Sequence, residues 1–434
     1  MNPQKIIYFL IGSLGLILPL FLNTTSDNEF TFNKTYLFQL IILISAAFLF
    51  FTWNQFSEMI KKCWNSFRLT FLVLVFYFGV LVVSTIFSIS PQISFWGGGR
   101  QQGLMQFLFY LIFFFVVLLI KPTKKKIIQL LYFICGVSFL VSTFGILEYF
   151  KIRPFPFPVY DSGVASTLGH PSFLGAYLIM VLPITIGLFC ISSLRLIRYI
   201  LGITFVFQLI VLYLTETRAA WLAFGLSLFL ALILFLLKRE KVTALIALFI
   251  LLLGSFVFLI QSGYLSKIDV LETGSGALRI TWWEDAVKAI QKRPIIGYGL
   301  ETQEDVLMPY FNSGQILAGR VDRAHNEILD DLLTTGILGA VSFFIFVGLV
   351  FKDGIDHYFK SKDRERRIIS LALLTGLAAY FIQGMFSFSV TILYVYFWLL
   401  AGMVVVLARG EKEADKQDLP VCLLSQATDR SATR

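Results

Sequence analysis

Twelve apolar runs of close to membrane-spanning length punctuate this chain of 434 residues, at 6–22, 36–53, 69–88, 104–120, 127–149, 173–191, 197–214, 219–237, 242–260, 336–351, 368–386 and 390–408. A hydrocarbon layer about 30 Å thick is crossed by about 20 residues of α-helix. No water inside that layer can satisfy peptide groups, so each run must pair its own backbone as a helix. Composition agrees. The chain is 57% hydrophobic and 15% charged, against about 45–50% and about 25% in soluble proteins. The sequence therefore predicts an all-α integral membrane protein of about twelve transmembrane helices. Residues 1–408 form one polytopic domain, and 409–434 read as a disordered cytoplasmic tail. Phe21-Leu22-Asn23-Thr24 after the first run offers no small-x-small cleavage site, so that run counts as a helix and not a signal peptide.

Charge sets the expected orientation. With Lys5 inside and the runs alternating, about two thirds of the 36 basic residues fall in inside loops and tails. Both termini are then cytoplasmic, and the net charge of +9 reports topology and contact with the bilayer, not nucleic-acid binding. None of the four cysteines falls in an outside loop, so no disulfide is expected, and no metal-ligand spacing is visible.

The outside loops are unequal. The longest, 261–335, lies between the ninth and tenth runs. Within it, 277–292 reads as an amphipathic helix with Leu278, Trp282, Ala286, Ala289 and Ile290 on one stripe, closed by Arg293-Pro294. Asp322 is the expected N-cap of a helix running from Arg323 into the tenth run, with His325 about one turn inside it. Residues 215–218 leave room only for a tight hairpin between the seventh and eighth runs.

Candidate chemistry gathers on these loops. An imidazole titrates near neutral pH, so His325 can accept a proton from a hydroxyl; as an interfacial histidine it would instead be satisfied by a neighbour such as Asp322. Arg218 is placed to grip an anion or to pair with Glu216. Arg279 belongs to the site or to the solvent face of its helix. Arg100 follows Gly97-Gly98-Gly99 and precedes Gly103. Such glycines let a backbone approach a ligand, and guanidinium grips phosphate oxygens in pairs. His170, before Pro171, reads first as a local hydrogen-bonding residue. Together, outside arginines with a histidine point to an anionic ligand such as a diphosphate, and no cofactor is expected.

Five segments carry a resemblance. They are Phe95-Trp96-Gly97 with Arg100-Gln101-Gln102-Gly103; Leu168-Gly169-His170-Pro171-Ser172; Thr215-Glu216-Thr217-Arg218-Ala219-Ala220-Trp221; Arg279 to Trp283 followed by Pro294-Ile295-Ile296-Gly297-Tyr298-Gly299; and Ala324-His325-Asn326-Glu327-Ile328-Leu329 followed by Thr335-Gly336-Ile337-Leu338-Gly339. In order and over about residues 90–340, they resemble the O-antigen ligase and O-antigen polymerase superfamily of bacterial membrane glycosyltransferases. His170 stands where that family usually has Asn. The resemblance implies a polyprenyl-diphosphate-linked glycan donor, such as undecaprenyl diphosphate. It also implies metal-independent transfer to a hydroxyl with inversion, outside the cytoplasm at the plasma membrane. His325 would then activate the acceptor, Arg218 and Arg279 would hold the diphosphate with Arg100 assisting, and Asn326, Glu216 and His170 would be accessory. The acceptor is lipid A core in a ligase, a lipid-linked glycan in a polymerase, or a protein in an oligosaccharyltransferase. The alternatives of another class are a twelve-helix secondary transporter and a non-catalytic glycan- or lipid-binding protein.

Overall fold

The structure is a computed structural model that describes residues 3–21, 29–152, 163–241, 243–244, 275–310 and 323–409. Its main helices are α1 (Pro3–Leu20), α2 (Glu29–Phe51), α3 (Trp53–Ile86), α4 (Pro91–Trp96), α5 (Leu104–Ile120), α6 (Lys124–Tyr149), α7 (Pro171–Ile191), α8 (Arg195–Leu214), α9 (Arg218–Lys238), α10 (Ser275–Lys292), α11 (Gln303–Leu307), α12 (Glu327–Lys360), α13 (Arg364–Gly384) and α14 (Thr391–Arg409). The described residues contain no strand. Nine of the described helices are long and apolar enough to cross a membrane, and Ile6–Leu20 and Leu104–Ile120 are shorter apolar helices. The run expected at 242–260, the start of the long loop and Asp322 lie outside the described residues.

The helices reach further than their apolar cores. Residues 54–68, expected as an inside loop, belong to the first turns of α3, which bends at Phe67. The charged connector expected near 352–367 shrinks to 361–363, because α12 continues to Lys360 and Asp363 caps α13 by accepting from Glu365 and Arg366 amides. Arg409, expected in the tail, closes α14 and pairs with Asp353 at 2.8 Å.

The apolar window of α14 is wholly buried, and that of α7 mostly so, whereas α8 and α9 present most of theirs outward. Around α14, rings of Phe114, Phe343, Phe346, Phe397 and Trp398 interlock. In lipid the apolar surroundings remove most of the hydrophobic drive between helices, so such close packing carries the association. Small residues let α7 and α13 approach closely and antiparallel. A Cβ on Gly376 would meet the Met180 carbonyl at 2.5 Å, and one on Gly187 would meet Ala372 at 2.8 Å. Gln383 closes the contact with a hydrogen bond to the Ser172 carbonyl (2.9 Å).

The bundle has two chemically different ends. At one, Lys124 pairs with Asp363 and Glu365 (2.6 and 2.7 Å), Lys238 donates to the Phe359 carbonyl and Arg364 to that of Cys190 (3.4 Å). The other gathers the turns at 87–103, 163–170, 215–217, 293–302, 323–326 and 385–390. Arg100, His170, Arg218 and His325 all stand there.

Candidate functional site

The scaffold of this end begins with a break in α12. Gly336 leaves helical geometry (φ 63°, ψ −169°), which frees peptide groups on both sides. The segment after α10 takes them up. Amides of Tyr298 and Gly299 donate to the Leu333 and Thr334 carbonyls (2.8 and 2.9 Å), and those of Ile337 and Leu338 donate to Pro294 and Ile295 (2.8 and 3.3 Å). The approach leaves no room for side chains: a Cβ on Gly336 would lie 2.3 Å from the Ile295 carbonyl carbon. Two glycine-bearing segments of the family resemblance are thus partners of each other. They fasten the long loop to a membrane helix.

α10 forms as expected, with Ala286 and Ala289 fully buried against Val306, Leu307, Ala324 and Leu333. It ends at Lys292 before Arg293-Pro294. From it, the Trp283 indole donates to the Ala324 carbonyl (3.0 Å). The Ala324 amide donates in turn to the Asp330 carboxylate (3.0 Å).

His325 follows, and here the sequence expectation fails. It is not inside a helix. Asn326, not Asp322, is the N-cap: its Oδ1 accepts from Ile328 and Leu329 amides (3.0 and 3.3 Å), so α12 starts at Glu327. Both residue types cap well, and sequence alone did not decide between them. His325 sits just before the cap at φ 53°. A left-handed non-glycine residue costs about 1–3 kcal/mol and persists only where neighbours enforce it. Here the Trp282 ring stacks on the imidazole (5.3 Å between centroids, 28°), and Phe388 meets it edge-on (5.1 Å, 66°).

Phe388, from the turn between α13 and α14, is the hub of the site. The guanidinium carbons of Arg100 and Arg323 lie 4.9 and 5.4 Å from its ring centre, a favourable cation–π arrangement. Arg323 is buried and forms an ion pair with the equally buried Glu301. The second oxygen of Glu301 accepts from the Gly98 and Arg100 amides, both at 3.1 Å. One carboxylate therefore clasps the glycine-rich loop to the turn that carries His325. Gln102 completes the loop's anchorage, bonding Thr391 (3.1 Å) and accepting from Tyr110 (2.9 Å).

Arg279 lies on α10 one turn before Trp282, on the same helix face as the ring that stacks on His325. Burial lowers its pKa from the ordinary value. A desolvated guanidinium gains more from an arriving anion than one in water. Arg218 is the first residue of α9, exposed, at the same end of the bundle. The expected tight hairpin is present. The Trp221 indole donates to the Leu212 carbonyl (2.8 Å) and its ring stacks on Tyr213. Among the described residues neither Arg218 nor Glu216 has an ion pair, so a structural pairing of the two is not what holds this turn. Arg218 adjoins the first turns of α7, where a Cβ on Gly175 would touch Thr217 (3.5 Å), and makes no described contact with His325. His170 caps α7, its Nδ1 accepting from the Ser172 amide (3.1 Å), and its ring packs on Phe173, which reaches Phe388. That is the local bonding role expected of it.

The structure therefore brings Arg100 and His325 together, sets Arg279 one turn away and leaves Arg218 at the rim. Sequence reading missed Arg323, Glu301, Trp282 as a stacking partner and Phe388. Arg323 stands only two residues before His325, and its basic charge beside the histidine was the available signal. Phe388 is one phenylalanine among 46, and nothing in its sequence setting marks it. Residues 203–344 match the sequence model of the O-antigen ligase family. That segment contains Arg218, Arg279, Arg323, His325 and the Gly336 break, and excludes Arg100 and His170. Comparison with curated proteins gave no match.

Proposed function

We propose that this chain, a member of the O-antigen ligase superfamily through residues 203–344, transfers a glycan from a polyprenyl-diphosphate carrier to an acceptor hydroxyl. The family match and the multi-pass helical architecture support a membrane glycosyltransferase. The observation that carries the finer reading is His325, held left-handed between Trp282 and Phe388 with two guanidinium groups over the same Phe388 ring. In this reading the acceptor oxygen attacks the anomeric carbon from the face opposite the phosphate. The bond from that carbon to the phosphate oxygen breaks, and the diphosphate leaves with the electron pair. The imidazole of His325 takes the acceptor's proton. Arg100, Arg279 and Arg218 meet the charge that grows on the departing diphosphate. Glu301 already offsets Arg323, whose part is to position the turn. The site opens on the extracytoplasmic face, the basic end of the bundle and both termini are cytoplasmic, and the transfer is ligase-like.

The test is His325→Ala in purified protein, scored for donor binding and transfer separately. Removal of a general base lowers turnover by about 10² to 10⁴. Donor binding persists, because the arginines and not the imidazole hold the diphosphate. Transfer at the wild-type rate would overturn the mechanism. Joint loss of binding and transfer in a folded variant would make His325 a binding residue.

A further inference from the structure

Away from this site, at the basic end, α7 and α8 leave a groove of about 770 Å³ on the outer surface of the bundle. Arg195 and Arg198 stand at its mouth, Phe189 and Tyr199 flank it, and Ile203 and Phe207 continue along it. Among the described residues its lining contains no acidic one. The Phe207 ring packs at a tilt on that of Phe139 (4.9 Å between centroids, 39°). Gly202 forms part of the wall, and a Cβ there would meet nothing within 4 Å. The absent side chain is therefore space belonging to the groove. Arg198 is oriented by donating to the Ser192 and Ser193 carbonyls (2.9 and 3.3 Å). Arg195 is exposed and has no ion pair among the described residues.

We propose that this groove holds one anionic phospholipid, its phosphate on Arg195 and Arg198 and an acyl chain along Tyr199, Ile203 and Phe207. Two features select that occupant. The walls are apolar over a length of two helical turns and face outward on α8, a helix that turns most of its surface away from the protein. Positive charge sits only at the end where helices leave the apolar layer, and basic pockets between spans at that depth recognise lipid headgroups. A soluble anion would have no use for the apolar length. A zwitterionic lipid would bring its own headgroup cation beside its phosphate, next to two arginines that repel it. The groove's volume also falls in the range of specific small-molecule sites. The inference is independent of the proposed transfer reaction, since no residue of the groove belongs to that site.

The experiment is native mass spectrometry of the delipidated full chain, titrated with dioleoyl phosphatidylglycerol and, separately, with dioleoyl phosphatidylcholine. The two lipids have the same chains and differ in headgroup charge. Phosphatidylglycerol is expected to be retained as one adduct at a concentration at least about tenfold lower. Arg195→Gln, a substitution at an exposed position, brings its retention down toward that of phosphatidylcholine. Gly202→Leu fills the wall without altering charge and weakens retention of both lipids. Equal retention of the two lipids by the wild type overturns the proposal. So does a preference for phosphatidylglycerol that survives both substitutions.

Discussion

At the scale of single residues, the site depends on charges held in fixed directions. Arg218 is exposed and without an ion pair among the described residues, which separates two roles. If it grips diphosphate, Arg218→Lys is nearly as damaging as Arg218→Ala, because lysine keeps the charge and loses the planar fork. The transfer rate of the two variants at matched expression decides, and full activity of the lysine variant would remove Arg218 from the site. Glu301 makes a different demand. It is buried with Arg323 and also receives two amides of the glycine-rich loop. Glu301→Gln strands a buried guanidinium, at a cost of about 3–5 kcal/mol. Glu301→Gln combined with Arg323→Gln recovers part of that loss, because the stranded charge is gone. Thermal unfolding of the two singles and the double gives the coupling directly, and simple additivity would show that the pair does not act as a unit.

At the scale of elements, the break in α12 joins loop to membrane helix. Gly336→Ala places a methyl group where the Ile295 carbonyl carbon stands 2.3 Å away and demands φ 63° of an alanine. The expected outcome is a loss of more than about 3 kcal/mol, from strain plus the broken ladder. It would be seen as a marked fall in melting temperature in detergent, and wild-type melting would refute the account. This joint marks a boundary of what the sequence revealed. The spans found among the described residues were legible because lipid imposes one requirement, an apolar helix, on each of them. The hairpin before Arg218 was legible because too few residues remain for anything else. The pairing of 294–299 with 333–338 was not, since its donors and acceptors are peptide groups that almost every residue carries. The start of α12 was misplaced because Asp322 and Asn326 are both good caps. The ring of partners around Phe388 comes from segments near residues 100, 282, 301, 323 and 388, and only the folded chain brings them side by side.

At the scale of the whole molecule, the two ends differ in charge, and the proposed orientation puts the basic end in the cytoplasm, where lysine and arginine tend to remain. Asp305→Cys on α11 and Lys362→Cys between α12 and α13 are both exposed positions at opposite ends. In a cysteine-free background of intact cells, a membrane-impermeant maleimide should label the first and spare the second. The reverse pattern would invert the molecule and place the candidate site in the cytoplasm.

The wholly buried position of α14 bears on how such a protein is made. A chain emerges from the ribosome in order, so the span that fills the middle of this bundle is the last of the described helices to arrive. With it come Thr391, which anchors the glycine-rich loop, and, just before it, Phe388, around which His325 and two arginines gather. Earlier spans must wait, partly unpacked in the bilayer, until α14 emerges. A chain cut short before Phe388 and α14 consequently lacks the bundle's central helix together with the ring on which the turns at 100, 323 and 325 converge.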